Sequence, residues 1–263
     1  ALINMRPTEN GVGLGYSGIN SGKKVLKVDM RKDGVERIKQ EIKNAVVFIE
    51  NFKPGRAFKL GIGHEDLVKI NPKLIYCSIT GYPPNHPLSQ KSAHDLNILS
   101  LSGYLDQQSR LGELSALPPL LLADIFTAYH TSLRMLSSLL NEKEGEHLQI
   151  SMFEAFQEAM LFSNYPQVKL KKDFSPNDYV MSGKLPCYCL YKSKDGGIVT
   201  VAALEKPLWI DFCHHLNHED WVEQQFNPKL TQIVAEEMRK HNRFDWLQAE
   251  LDFCVTPVLS INE

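Results

Sequence analysis

The sequence predicts an α/β protein, with a parallel sheet covered by helices on both faces and a smaller α/β domain after it. Three observations carry this prediction. Strand-like and helix-like patterns alternate between residues 23 and 82, helical spacing dominates residues 93–164, and a polar break at 167–184 precedes a second run of strands and amphipathic helices. Alternation of strand and helix favours a parallel sheet, because each crossover lays a helix on the sheet face.

Taken in order, ALINMRP reads as the tail of a strand entering a loop. GVGLGYSG (11–18) is glycine-rich, but a dinucleotide-binding turn needs strand, glycines and helix in that order. The next apolar segment, KKVLKVDM (23–30), alternates like a strand, so the glycines read as a mobile loop. RKDGVERIKQEIKN (31–44) places Val35, Ile38 and Ile42 on one helical face. AVVFIE (45–50) is a buried strand, HEDLVKIN (64–71) a short helix and LIYCSITGY (74–82) a second buried strand. Ligands collect where parallel strands end, which marks the loops after Glu50 and Thr80. Residues 123–142 space Leu133, Leu136 and Leu140 for one buried face, and GEHLQISMFEAFQEAMLFS continues the helical reading. LPCYCLYKSKDGGIVTVAAL reads as two strands around an Asp-Gly-Gly turn, followed by helices bearing Trp209, Trp221 and Trp246. VTPVLSINE ends the chain without a closing element. The expected division is a large domain over 1–165, a linker at 166–176 and a small domain over 177–263.

Composition narrows the function classes. A chain of 263 residues that is 43% apolar can bury a sizeable core. The net charge of −2 offers no basic field for nucleic acid or an anionic membrane. No apolar run approaches the roughly 18–20 residues that span a bilayer, and the first ten residues lack the order of a signal peptide. The five cysteines include no CxxC pair, which points to reduced thiols in a cytoplasmic setting. Cys187 and Cys189 read as alternation within a strand rather than as a metal or redox pair, and no metal site is expected.

Four sets of residues carry chemical potential. His94 and Asp95 head an apolar run in SAHDLNILSLSG, where a polar group either caps a helix or works beside its positive dipole end. Asp124 stands at the start of a helix in LLLADIFTA, and Glu205 follows a strand in VTVAALEKPLW. Each is also an ordinary capping or first-turn acid. Arg6, Lys53, Arg56 and Lys59 lie in or near strand-end loops, placed either for solvation or for phosphate.

Those residues belong to longer stretches with a family look. VFIENFKPGRAFKLGIGHEDLVKINPKLIYCSITGY resembles the hallmark segment of the family III CoA transferases (CaiB/BaiF). AHDLNILSLSG followed by LPPLLLAD resembles the α-methylacyl-CoA racemase branch, and GEHLQISMFEA, LPCYCLYKSKDGGIVTVAALEKPLW and DFCVTPVLS have racemase counterparts. The resemblance implies a Rossmann-like large domain, an interlocked homodimer, an acyl-CoA thioester substrate and no cofactor beyond the CoA it carries. His94 matches the racemase histidine, Asp124 the aspartate facing it across the substrate, and Glu205 a glutamate supporting the histidine. Arg6 and Lys59 match positions that contact the CoA phosphates and nucleotide, while the run of Ser89, Gln90, Lys91, Ser92, Ala93 and His94 lines the thioester pocket.

The implied chemistry explains these residue types. Racemising a 2-methylacyl thioester removes the C2 proton on one face and returns one on the other, so a base and an acid must flank a planar enolate. Neutral imidazole, with an ordinary pKa of about 6.5, accepts a proton at neutral pH, whereas an aspartate near about 3.9 needs an apolar surrounding to raise it. N–H groups at the helix start around Asp95 suit the enolate oxygen. Transferase members use the aspartate as a nucleophile and generally lack the histidine, which makes His94 the discriminating residue.

Departures from the family pattern keep other readings open. Ile125, Phe126, Thr127 and Ala128 stand where racemases have glycines, YPPNHPLSQ replaces a Gly-Gln-x-Gly-Pro loop, and Ser182-Gly183-Lys184 replaces Asp-Gly-Gly. The chain also reads as lacking the family's opening strand-turn-helix and its closing return segment. The alternatives are a CoA transferase acting through Asp124 and an inactive CoA-binding relative.

Overall fold

A computed structural model describes residues 18–111, 118–161, 163–164, 182–248 and 254–260. The strand reading of ALINMRP, the glycine loop through residue 17, Arg6 and the linker at 166–176 lie outside them. The chain groups into two compact units, one of residues up to Ser92 with Thr127–Met152, the other of Ala93–Phe126 with the residues from Phe153 onward.

The first unit is built on three parallel strands, β1 (Val47–Glu50), β2 (Ile75–Thr80) and β3 (His147–Ser151), in that spatial order. Val47 pairs with Ile75, and Tyr76 with His147. Before β1 comes α1 (Gly34–Ile42), whose first residue must be glycine-sized because a Cβ there would lie 2.7 Å from the Asp29 carbonyl oxygen. Two one-turn helices, α2 (Arg56–Lys59) and α3 (His64–Leu67), fill the connection from β1 to β2. Asn71 closes this layer, its Nδ2 donating to the carbonyls of Ile42 at 3.0 Å and Ala45 at 2.8 Å.

Alternation along the strands gives the sheet two apolar faces. Phe48 and Tyr76 pack with Ile42, Ala57 and Leu67 of the first helices and with Ile62 between two of them. Val47, Ile75, Cys77 and Ile79 point the other way and meet Met135 of a long helix, α6 (Leu122–Leu140). Helices therefore cover both sheet faces, as the sequence predicts.

Three local expectations are corrected. Residues 23–30 form no strand and pair with none among the described residues, and Val25 is exposed; alternation alone does not make a strand without a ladder partner. His147–Ser151 is a strand, not helix, with Leu148 and Ile150 buried on either side of exposed Gln149. Leu133, Leu136 and Leu140 are 67%, 54% and 84% exposed rather than buried. The buried stripe of α6 is instead Ala123, Thr127, Thr131 and Ser138, with Met135 partly buried; the small side chains let the helix lie close to its neighbours. Residues 255–257 add a third strand to the second sheet.

The second unit contains α4 (Asp95–Leu101), α5 (Tyr104–Leu111), the first turn of α6 and α7 (Met152–Ala159). It also holds an antiparallel sheet of β4 (Tyr188–Lys192), β5 (Ile198–Ala202) and β6 (Val255–Pro257), in that order. The β4–β5 turn is the predicted Asp-Gly-Gly, with Gly196 at φ 79°, a backbone conformation that disfavours side chains. Pro257 is tolerated because β6 is an edge strand. Against this sheet pack α8 (Lys206–His215) and α9 (Thr231–Met238), burying Trp209, Phe212, Trp221, Val234 and Trp246 with Val199 and Val201. The Trp209 indole N–H is satisfied by the Trp221 carbonyl at 3.1 Å.

Candidate functional site

His94 is the N-cap of α4, with extended backbone (φ −123°, ψ 167°). Asn97 fixes that backbone: its Oδ1 accepts the His94 N–H at 3.0 Å, while its own N–H donates to the His94 carbonyl at 2.9 Å. Ile98 and Leu99, buried behind, anchor the helix, so the exposed imidazole is presented from a rigid start. The N–H of Asp95, first in α4, meets no backbone acceptor among the described residues.

The Asp95 side chain turns inward, only 7% exposed. Its Oδ1 accepts the backbone N–H of Ala123 at 2.6 Å and of Asp124 at 3.1 Å, capping α6 from a distance of 28 residues in sequence. Phe126 and Tyr104, edge-on to Phe156 at 5.8 and 6.1 Å, pack around the same helix start.

Asp124 lies in the first turn of α6. Its carboxyl sits above the ordinary carboxylate range, chiefly through lost hydration and then through the negative charge of Asp95, with His94 pulling the other way. The shift occurs although more than a third of the residue remains open to solvent. Leu120 and Leu121 are themselves largely exposed, so the LLLAD leucines do not form a closed wall. His94 and Asp124 thus share one electrostatic neighbourhood, each at the start of a helix, with the base-raising direction that aspartate needs to take a proton.

The remaining residues are placed as follows. Glu205 is the exposed N-cap of α8, and no hydrogen bond joins it to His94 among the described residues. Lys59 closes α2 and is exposed, as are Lys53 and Arg56, all in the first unit. The loop after β2 is ordered by turns, with the Ser89 N–H on the His86 carbonyl at 2.9 Å and the Lys91 N–H on the Leu88 carbonyl at 2.8 Å. Tyr82 stacks on His86 at 5.0 Å. Ser89 and Ala93 are half-buried, and Gln90, Lys91 and Ser92 are exposed.

Two features escape a reading of the sequence. One is the Asp95 carboxylate, whose partners come from another helix. The other is a titratable group within the first unit. His64 donates through Nε2 to the Gly145 carbonyl at 2.8 Å and stacks on His147 at 4.8 Å, with Tyr76 edge-on to both rings. Burial first, then the neighbouring His64, lowers the His147 pKa. Glu50 is raised by burial, against hydrogen bonds from the Phe52 N–H at 2.7 Å and the Tyr76 hydroxyl at 3.4 Å. The parallel register, which places Tyr76 beside His147, helps bring these groups together from four chain segments. Among the described residues no cluster of His, Cys, Asp or Glu suits a metal ion, and no helix is long and apolar enough to cross a membrane.

Comparison with known proteins gives a consistent picture. The model of CoA-transferase family III matches residues 4–263. The mouse protein named alpha-methylacyl-CoA racemase is 30% identical over 95% of this chain and 70% of its own length. The human succinyl-CoA:glutarate CoA-transferase is 27% identical over 87% of this chain and 51% of its own length. A crystal structure of a CaiB/BaiF family protein from Brucella suis superposes with a TM-score of 0.74 at 22% identity, covering 92% of this chain and 68% of that one.

Proposed function

The chain belongs to CoA-transferase family III, and on that premise we propose that it racemises 2-methyl-branched acyl-CoA thioesters by moving the C2 proton through an enolate. The observation that carries this reading is the pairing of an imidazole and a raised carboxyl, His94 and Asp124, at two adjoining helix starts. One of them takes the C2 proton, and the electron pair moves onto the thioester oxygen. The other, already protonated, returns a proton to the opposite face and leaves the product inverted. The reverse turnover starts from the exchanged protonation states, so no net acid or base is consumed.

Under this proposal the N–H of Asp95 receives the enolate oxygen, and Glu205 orients the imidazole once substrate is bound. Arg6 and Lys59 bind CoA phosphates, while Ser89, Gln90, Lys91, Ser92 and Ala93 line the thioester pocket. CoA enters as part of the substrate and no further cofactor takes part. The exposed stripe of Leu133, Leu136 and Leu140 supports a homodimer, since large apolar patches mark interfaces. The buried thiols of Cys77, Cys187 and Cys213, none in a disulfide, support a reducing compartment such as the cytoplasm.

A second reading is favoured by the similarity to the glutarate CoA-transferase. In it the Asp124 carboxylate attacks the thioester carbonyl, the C–S bond breaks, and CoA thiolate leaves a mixed anhydride on the enzyme. The deciding experiment is C2 deuterium wash-in from heavy water on a panel of branched acyl-CoAs, with hydroxylamine present in parallel. Exchange without an acyl adduct supports the racemase. A trapped acyl hydroxamate without exchange supports the transferase, and acyl-CoA binding with neither supports an inactive relative.

A further inference from the structure

We propose that Asp95 is a positioning residue, whose buried carboxylate fixes where the first turn of α6 presents Asp124 relative to His94. This inference rests on the two-base reading above. His94 and Asp95 are neighbours in the chain, and they face opposite tasks: the imidazole is exposed while the carboxylate is buried. From that buried place Asp95 Oδ1 holds two α6 backbone N–H groups, those of Ala123 and of Asp124 itself. One dipeptide therefore carries the first base and grips the backbone of the second.

The geometry exceeds what an ordinary cap requires. A helix N-cap is normally the residue immediately before the helix, and here the acceptor comes from a different helix. Leaving a carboxylate in so enclosed a place is costly unless its charge meets donors, and two N–H groups at a positive dipole end provide them. Breaking the grip frees the start of α6 from α4, and a displacement of about 1 Å at a reacting group costs on the order of 10²-fold in rate. The carboxylate acts through space as well: its negative charge adds to lost hydration in raising Asp124.

The test separates position from plain structural support by comparing Asp95→Asn with Asp95→Ala. Asparagine keeps an oxygen acceptor for both N–H groups but removes the charge; alanine removes both. In Asp95→Asn the Asp124 carboxyl, followed by carbon NMR and assigned with Asp124→Asn, is expected to titrate at lower pH than in the unmutated protein. The acid limb of C2 exchange should move the same way for the enantiomer that Asp124 deprotonates. Asp95→Ala should slow exchange by about 10²-fold in kcat with KM little changed. A second readout is the Ala123 and Asp124 amide resonances, which should both move in Asp95→Ala, where their shared acceptor is lost, and stay nearer their unmutated positions in Asp95→Asn. Unmoved amides, or an Asp124 titration identical in Asp95→Asn, overturn the inference. If the unmutated protein shows no C2 exchange, the racemase reading falls, while the Asp124 carboxyl titration and the amide shifts of the two variants still decide the role of Asp95.

Discussion

Two groups that exchange roles as acid and base work best when their proton affinities are close, yet imidazole and aspartate ordinarily differ by more than two pKa units, about 6.5 against about 3.9. The surroundings of Asp124 narrow that gap: lost hydration and the Asp95 charge both lift it, and His94 opposes them in part. If the two act on opposite faces, His94→Ala should abolish C2 exchange from one enantiomer more than from the other, and Asp124→Asn should do the reverse. Each loss should reach roughly 10²–10⁴-fold. Equal losses for both enantiomers from either variant would remove support for two bases, and a chain acting as a transferase would tolerate His94→Ala. A second prediction at this scale concerns Lys59, exposed at the end of α2. Lys59→Ala should weaken acyl-CoA binding by about 1–3 kcal/mol, measured by calorimetry, if the ammonium meets a phosphate. Unchanged affinity would leave it a solvated surface charge.

Among the elements, β1 ends on a residue whose ionisation couples to folding. Glu50 is half-buried and its pKa is raised, with burial outweighing the Phe52 and Tyr76 hydrogen bonds. A carboxyl raised in the fold favours the folded state when protonated. That contribution is fully present below the ordinary glutamate value of about 4.3 and is lost as pH rises through the higher folded value. Glu50→Gln keeps an oxygen for the Phe52 N–H and removes the titration. Its thermal midpoint should therefore gain on the unmutated protein as pH rises above the ordinary glutamate range, and parallel midpoint curves would show that Glu50 is already well solvated. His147 carries the opposite sign: its lowered pKa means stability present above the ordinary histidine value and lost as pH falls toward the folded one. The same pairing of strands explains why β3 was hidden. His147–Ser151 has only five residues between a glycine turn and a helix, too few for an alternating pattern to outweigh the helical run that follows.

For the whole molecule, the outward leucines of α6 are the clearest unpaid surface. Leu133, Leu136 and Leu140 recur at helical spacing, with Tyr129 one turn before them and equally exposed. As a homodimer contact this stripe makes a direct prediction: the protein should sediment as a dimer, and Leu136→Glu should shift it toward monomer without loss of helical circular dichroism. A well-folded monomer before mutation would contradict it.

The parallel α/β arrangement, the strands at β1 and β2, the hairpin around Gly196 and the polar residues at the starts of α4, α6 and α8 were all legible in the sequence. They depend on local rules, namely period, turn chemistry and capping, which act over a few residues. Tertiary structure alone decided the rest. Two stripes of α6 have helical spacing, and packing buried the one with small side chains while leaving the leucines outside. Residues 23–30 alternate, but a strand exists only with a partner to share its N–H and C=O groups, whereas 255–257 found one in β5. The grip of Asp95 on the start of α6 spans 28 residues, and the stacking of His64 on His147 joins segments even further apart. Such contacts are set by the folded backbone bringing distant groups within hydrogen-bonding or van der Waals range, a condition that no local pattern encodes.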